Sequence, residues 1–145
     1  MLSQLKVSDL MTKSVISAQP DSKLSAAKAL MKEFGIRHLP VVEHGVLAGI
    51  ISSGDIREAA PSDATTLSVW ELNYLWDKLT VGEVMTRNVV SVDANEPFID
   101  ALRIMVARKF SSLPVVHQDV LVGILTETDV FHKIIALAEA EMVQA

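Results

Sequence analysis

An internal repeat is the feature that most constrains this chain. Residues 7–60 align with residues 81–134 without a gap, at a constant offset of 74 positions, so that Val7 corresponds to Val81. The landmarks that recur in the same order are Met11-Thr12 with Met85-Thr86, Leu39-Pro40-Val41-Val42 with Leu113-Pro114-Val115-Val116, Gly49-Ile50 with Gly123-Ile124, and Asp55 with Asp129. So many collinear matches indicate a duplication, and two copies of one structural unit are expected.

Each copy predicts the order strand, helix, strand, strand, helix. In the first copy, a β-branched run over residues 15–18 predicts a strand, and apolar residues at helical spacing over residues 24–34 predict a helix. Two β-rich runs follow, joined by a turn in which Gly45 can supply a positive φ. Residues 52–55 then carry the side chains typical of a helix start.

The predicted fold class is therefore α/β (α+β), with tandem β-α-β-β-α repeats. A unit of about 54 residues buries little surface alone, so the two repeats are expected to pack together about a pseudo-twofold axis. The predicted boundaries are repeat 1 at residues 1–60, a linker with a helix at 61–80, and repeat 2 at 81–145.

The linker concentrates the large aromatic residues. A helix is predicted over residues 65–79, with one apolar stripe at Leu67, Trp70 and Tyr74 and a second at Val69, Leu72, Trp76 and Leu79. The aromatic side chains either wedge the two repeats together or form a surface for self-association.

The bulk composition excludes several classes of protein. The chain has 145 residues, no cysteine and a net charge of −5. A chain without cysteine has no disulfide or thiolate metal site and fits a reducing cytoplasm. The acidic balance disfavours nucleic acid as a partner. The apolar runs fall far short of the ~20 residues that span a bilayer, and nothing at the amino terminus marks export, so a cytoplasmic protein without membrane insertion is expected.

The sequence shows no catalytic or metal-binding pattern. The four histidines, His38, His44, His117 and His132, do not have metal-ligand spacing. No glycine-rich phosphate loop occurs, and no serine has an evident histidine and aspartate partnership. Catalysis is therefore not expected.

Three blocks, each present twice in the same order, carry a resemblance to a known family. They are Val-x-Asp-Leu-Met-Thr and Val-x-Glu-Val-Met-Thr, the two Leu-Pro-Val-Val blocks, and Gly-Ile-Ile-Ser-x-x-Asp-Ile with Gly-Ile-Leu-Thr-x-x-Asp-Val. Over nearly its whole length the chain resembles the cystathionine-β-synthase (CBS) domain family, as a stand-alone tandem pair called a Bateman module.

The resemblance implies a regulatory, non-enzymatic module. Such pairs bind an adenosine nucleotide (AMP, ADP or ATP) in the cleft between the repeats, with S-adenosylmethionine and NAD(H) ranking behind these ligands. It also implies a homodimer and an unknown effector protein as partners. A ligand-free dimerisation scaffold with the same fold is the alternative left open.

The resemblance also places candidate residues for ribose and phosphate at a strand-to-helix junction. Ribose needs a carboxylate that accepts hydrogen bonds from its hydroxyl groups, whereas phosphate needs hydroxyl and N–H donors. The Ser/Thr-x-x-Asp pattern offers Ser52 with Asp55 and Thr126 with Asp129. The same aspartates could instead cap helices.

The adenine pocket and the basic groups follow from the same resemblance. The adenine candidates are Val15, Ile16, Ser17, Leu39 and Pro40 in the first copy and Val89, Val90, Ser91, Leu113 and Pro114 in the second, although core packing is the simpler role for most of these side chains. The basic candidates for phosphate are Lys13, Arg37, His38 and Arg87. Because Ser111-Ser112 replaces Arg37-His38, the two sites are expected to be non-equivalent.

Overall fold

The computed structural model describes residues 2–61 and 66–144. After a short 3-10 turn at Leu2–Gln4, the described elements in chain order are α1 (Val7–Leu10), α2 (Leu24–Phe34), β1 (His38–Glu43), β2 (Val46–Ser52), α3 (Ser53–Ala59), α4 (Val69–Lys78), α5 (Val81–Val84), β3 (Val92–Asp93), α6 (Phe98–Arg108), β4 (Ser112–His117), β5 (Val120–Thr126) and α7 (Glu127–Gln144). The protein is a mixed α/β fold, in agreement with the predicted class.

The chain forms two compact units that do not follow the order of the repeats. The Asp55 unit comprises Ile16–Val89, and the Asp129 unit comprises Met1–Val15 together with Val90–Ala145. The first residues of each repeat therefore belong to the unit that holds the rest of the other repeat. The repeats are therefore defined by sequence similarity, whereas the two units are defined by which segments pack together.

The hairpins agree with the prediction. In the Asp55 unit β1 pairs antiparallel with β2, and in the Asp129 unit β4 pairs antiparallel with β5. Gly45 has a φ of 81° and His44 a φ of 53°, so the positive φ predicted for Gly45 is confirmed. In the second hairpin, Gln118 and Asp119 take the same left-handed conformation.

The first predicted strand is shorter than expected. Over residues 15–18 the ladder is reduced to one isolated parallel bridge between Ala18 and Val41, whereas in the second copy Val92, the counterpart of Ala18, and Asp93 form β3, parallel to β4. The backbone N–H of Ala94 extends the second ladder by donating to the carbonyl of Val116 at 3.0 Å. Pro20 occupies the position equivalent to Ala94 and has no N–H to donate.

Each unit has its own hydrophobic core. The buried core of the Asp55 unit contains Ala18, Leu24, Ala27, Met31, Leu39, Val41, Ile51, Ile56, Val81 and Met85. The buried core of the Asp129 unit contains Val7, Leu10, Val92, Ala94, Phe98, Ala101, Met105, Leu113, Val115 and Leu125. The helical spacing in α2 and α6 therefore predicted most of the helix residues that reach the cores.

The recurring Met-Thr and Gly-Ile landmarks contact each other across the repeats. Thr12 exchanges backbone hydrogen bonds with Ile124 at 2.9 and 3.0 Å, and Thr86 does the same with Ile50. A Cβ atom added at Gly123 would lie 2.5 Å from Met11 Sδ and 3.0 Å from the Thr12 carbonyl oxygen. The segment around Met11-Thr12 belongs to the first repeat but pairs with β5 of the second, and we call it and its counterpart around Met85-Thr86 the exchanged segments. Glycine is required at Gly123 because the exchanged segment lies directly against this position of β5.

The linker helix is confirmed as α4, within the described part of the linker. Trp76 and Leu79 pack against the core of the Asp55 unit. Trp70 is 86% exposed and Tyr74 is 59% exposed. The expectation that these two aromatic side chains wedge the repeats together is therefore wrong. None of the described helices is long and apolar enough to cross a membrane.

Candidate functional site

In the Asp55 unit, the Ser52–Asp55 pair lies where β2 passes into α3. The carboxylate Oδ2 of Asp55 accepts the backbone N–H of Ser52 at 2.9 Å, and the hydroxyl of Ser52 accepts the backbone N–H of Asp55 at 3.0 Å. This reciprocal pair is a capping box and confirms the helix start predicted from the sequence. Among the described residues, no hydrogen bond reaches Asp55 Oδ1, so the cap leaves that oxygen free to accept a ligand hydroxyl.

In the Asp129 unit, the Thr126–Asp129 pair repeats this geometry. Asp129 Oδ2 accepts the backbone N–H of Thr126 at 2.9 Å and its hydroxyl at 3.0 Å. The Thr126 hydroxyl oxygen accepts the backbone N–H of Asp129 at 3.2 Å. In addition, Asp129 Oδ1 accepts the hydroxyl of Thr12 at 2.8 Å. The two aspartates therefore share the reciprocal backbone bonds of the cap, and Asp129 accepts two further hydrogen bonds, from the hydroxyl groups of Thr126 and Thr12.

The charges beside the two caps differ. Arg37 and His38 precede and begin β1, and the carbonyl of Arg37 accepts the N–H of Ser53 at 2.9 Å. In the Asp129 unit, Ser111 takes the place of Arg37, and its carbonyl accepts the N–H of Glu127 at 3.1 Å. The backbone of Arg37 thus contacts the start of the helix at the first cap, whereas at the second cap Ser111 takes this place and Glu127 begins the helix.

His38 is partly buried beside the Asp55 cap and pairs with Ser52 in the hairpin. Its burial lowers the pKa of His38 below the usual 6.5, and the positive charge of Arg37 lowers that pKa further. Asp55 acts in the opposite direction and does not cancel these effects. Burial therefore favours the neutral form of His38, and its role toward phosphate stays a prediction.

The structure divides the adenine candidates into buried and accessible residues. The Leu-Pro candidates are fully buried: Leu39, Pro40, Leu113 and Pro114. Their side chains pack in the cores and have no surface to offer a base, so contact of these four residues with adenine through the backbone stays a prediction. The remaining candidates are partly or fully exposed: Val15, Ile16, Ser17, Val89, Val90 and Ser91. These six stay predicted to contact adenine through side chain or backbone.

Two of the basic candidates lie in the unit that contains the aspartate of the other repeat. Lys13 precedes the first strand of repeat 1 but belongs to the Asp129 unit, and Arg87 belongs to the Asp55 unit. Both are exposed, and Arg87 donates to the carbonyl of Gly82 at 3.1 Å. Within its unit, each basic residue therefore accompanies the aspartate of the other repeat.

Two side chains near the caps were missed by reasoning from the sequence. Thr12 was noted as a recurring landmark but not as a partner of Asp129, which lies 117 residues away. Arg57 was not considered, although its guanidinium lies 3.7 Å from the position of a Cβ atom on Gly54. The recurrence of Met-Thr in both copies was the signal that could have singled out Thr12.

Metal-ligating side chains are not clustered in the part of the chain that the structure describes. Within residues 2–61 and 66–144, no group of three or more His, Cys, Asp or Glu side chains could hold a metal ion. The chemistry that the caps offer is hydrogen bonding by carboxylate and hydroxyl groups.

Comparison with known proteins identifies the family. The CBS domain model matches residues 7–62 and 81–136. A putative acetoin utilization protein (AcuB) of Vibrio cholerae has a similar structure, with a TM-score of 0.80 and 33% identity over 95% of this chain and 96% of that one. The chain spans only 45% and 22% of the length of two curated relatives from Methanocaldococcus jannaschii.

Two further similar structures contain adenosine compounds. The CBS domain pair of protein MJ0100, in complex with 5′-methylthioadenosine and S-adenosyl-L-methionine, has a TM-score of 0.72 and 32% identity over 90% of this chain and 95% of that one. CBSX2 in complex with AMP has a TM-score of 0.76 and 29% identity over 90% of this chain and 97% of that one. Together with the match to both repeats, these findings show that the chain belongs to the CBS domain family, as a tandem pair.

Proposed function

We propose that this CBS pair is a regulatory module that binds an adenosine nucleotide and acts on a separate effector protein. AMP, ADP and ATP are the proposed ligands, and S-adenosylmethionine and NAD(H) rank behind them. The related CBS pairs that hold AMP or S-adenosyl-L-methionine with 5′-methylthioadenosine support an adenosine ligand. CBS pairs are generally regulatory rather than catalytic, which supports a role without chemistry of its own.

The free oxygen of Asp55 is the observation that carries this proposal. Both ribose hydroxyl groups are donors, and an ionised carboxylate can accept several hydrogen bonds. Asp55 uses one oxygen for its cap and keeps Oδ1 unbonded among the described residues. Arg37 and Arg57 lie at the same end of the hairpin and helix and supply charge that favours phosphate over a neutral ligand.

A thermal-shift and calorimetry panel tests the proposal. The ligands are AMP, ADP, ATP, S-adenosylmethionine and NADH, and the proteins are wild type, Asp55→Ala and Asp129→Ala. A ligand at 100 times its Kd stabilises the folded protein by about 2.7 kcal/mol, which raises Tm by several degrees in a chain of this size. Asp100→Ala removes an exposed carboxylate on α6 and is the matched control, expected to bind as wild type does.

The ligand-induced shift must be compared within each variant. Asp55→Ala also removes part of a helix cap, which costs about 0.5–2 kcal/mol whether or not ligand binds. The proposal fails if none of the five ligands raises Tm at millimolar concentration. If binding occurs and both aspartate variants bind normally, a nucleotide regulator remains but the ribose assignment is wrong.

A ligand-free dimerisation module is the second candidate function. The observation that favours it is the exposed stripe on α4, where Val69, Trp70 and Tyr74 are 72%, 86% and 59% exposed. Large aromatic side chains are frequent anchors of protein interfaces. A dimer in light scattering that Trp70→Ala disrupts, together with no ligand-induced shift in Tm, would favour this candidate.

A further inference from the structure

The acceptor capacity of Asp129 is nearly filled by its own chain. An ionised carboxylate offers about four acceptor positions, two on each oxygen. At Asp129, two hydrogen bonds from Thr126 reach Oδ2 and one from the Thr12 hydroxyl reaches Oδ1. One position is left, whereas a ribose that donates both of its adjacent hydroxyl groups needs two.

The acceptor capacity of Asp55 is largely unused. Its carboxylate accepts one hydrogen bond, from the backbone N–H of Ser52, and no other from the described residues. Three positions remain, which is enough for both ribose hydroxyl groups. Of the two additional hydrogen bonds at Asp129, one comes from the Thr126 hydroxyl within the cap and the other from the Thr12 side chain.

The backbone holds Thr12 in place. Thr12 is bonded to Ile124 through both its N–H and its carbonyl group, and its carbonyl lies close against Gly123. Thr86 is bonded to Ile50 in the same way in the Asp55 unit. Within the described residues, however, the Thr86 hydroxyl makes no hydrogen bond to Asp55. The two segments therefore share their backbone geometry and differ in whether the hydroxyl reaches the aspartate.

The side chains around the two aspartates add to this difference. Positions Arg37, Ser53 and Arg57 near Asp55 correspond to Ser111, Glu127 and Phe131 near Asp129. Two positive charges are lost and one negative charge is gained in the second copy. A phosphorylated ligand is therefore favoured near Asp55 by charge as well as by free acceptor positions.

We propose that the hydrogen bond from the Thr12 hydroxyl to Asp129 competes with ribose for this carboxylate, so that a nucleotide binds through Asp55 first. This inference rests on the proposed function and adds to it the order in which the aspartates are used. Thr12 is a positioning and specificity residue, because it acts by occupying the acceptor that a ligand would need. Removing its hydroxyl should open the second site.

Calorimetry with AMP and with adenosine tests the inference, using the matched threonines of the two copies. In wild type, Asp55→Ala should weaken AMP binding more than tenfold, and Asp129→Ala less than threefold. In the Asp55→Ala background, adding Thr12→Val should strengthen binding of both ligands at least tenfold, because the freed oxygen can accept a ribose hydroxyl. Adding Thr12→Ser or Thr86→Val to the same background should change the affinity less than twofold.

Each result decides between the two proposals. Equal losses in Asp55→Ala and Asp129→Ala, or no gain from Thr12→Val, overturn the role of Thr12 while nucleotide binding stands. If neither AMP nor adenosine binds wild type, the order of use proposed for the two aspartates is overturned; nucleotide binding itself falls only if none of the five ligands of the Tm panel binds either. Cooperative melting of Thr12→Val, and the wild-type behaviour of Thr12→Ser, exclude misfolding as the cause of a changed affinity.

Discussion

At the scale of single residues, Ser112 carries a buried hydroxyl group with no hydrogen-bond partner among the described residues. It is 8% exposed and begins β4, at the position that His38 occupies in the first copy. A buried polar group that makes no hydrogen bond costs about 1–3 kcal/mol. We therefore predict that Ser112→Ala leaves the free energy of unfolding unchanged or raises it by up to about 1 kcal/mol, measured by urea denaturation.

Thr126 is the control for this prediction, because its hydroxyl group lies in the same unit and makes hydrogen bonds both as donor and as acceptor. It both donates to Asp129 and accepts from its backbone. Thr126→Val should lower the free energy of unfolding by about 1 kcal/mol, as loss of a helix cap does. A loss in Ser112→Ala as large as that in Thr126→Val would mean that the Ser112 hydroxyl does have a partner.

His38 gives the molecule a predicted pH dependence. Because burial lowers the pKa of His38 in the folded state, the unfolded chain binds more protons than the folded one between that lowered pKa and 6.5. Stability from this residue is therefore complete above pH 6.5 and falls as the pH drops through this window. His38→Gln should flatten the Tm profile between pH 7.5 and pH 5, whereas His132→Gln, at an exposed position on α7, should leave the profile parallel to that of wild type.

At this scale, contacts between residues close in sequence could be predicted from the sequence, whereas contacts between distant residues could not. The spacing of Ser52 and Asp55 predicted a cap because both members of the pair lie within one helical turn. The hydrogen bond from Thr12 to Asp129 joins residues 117 positions apart, and no local preference encodes it. The burial of Leu39 and Leu113 was likewise decided by packing of the whole unit.

At the scale of elements, each exchanged segment lies so close to a strand that the strand residue beneath it must be glycine. At Gly49 an added Cβ atom would lie 2.7 Å from Met85 Sδ and 2.8 Å from the Thr86 carbonyl oxygen. The backbone oxygen cannot move without breaking the pairing with Ile50. We predict that Gly49→Ala lowers the free energy of unfolding by about 1–3 kcal/mol, as overpacking of a core does.

Gly54 is the matched control for this prediction. A Cβ atom there would lie 3.6 Å or more from its neighbours, within ordinary contact distance. Since Gly54 lies inside α3, Gly54→Ala should be neutral or stabilise by about 0.5–1 kcal/mol through helix propensity. The steric account is wrong if chemical denaturation gives the two variants equal stabilities.

The elements themselves were mostly predictable, and the first strand shows where prediction failed. Its β-branched residues in the first copy favour a strand, but the structure forms only one isolated bridge there. The length of the ladder depended on one atom, the N–H that Ala94 donates and Pro20 lacks. That difference could have been read from the sequence by comparing the two copies position by position.

At the scale of the whole molecule, the exchange of segments could not be read from the repeat. A duplication shows which residues are equivalent, but it does not show whether Val7 packs with its own copy or with the other. Both choices would place the same residue types around the same core positions. The structure places Val7 in the core that contains Leu113, and Val81 in the core that contains Leu39.

The matched valines test this exchange. Val7 and Val81 are both completely buried, each at the start of a four-residue helix, so truncating either should cost about 1–3 kcal/mol. In native-state hydrogen exchange, sub-global opening reports which segments share a cooperative core. Val7→Ala should accelerate exchange in α6 and β4 and leave α2 and β1 close to wild type, whereas Val81→Ala should do the reverse. The opposite pattern would show that each repeat keeps its own first helix, and it would contradict the hydrogen bond from Thr12 to Asp129.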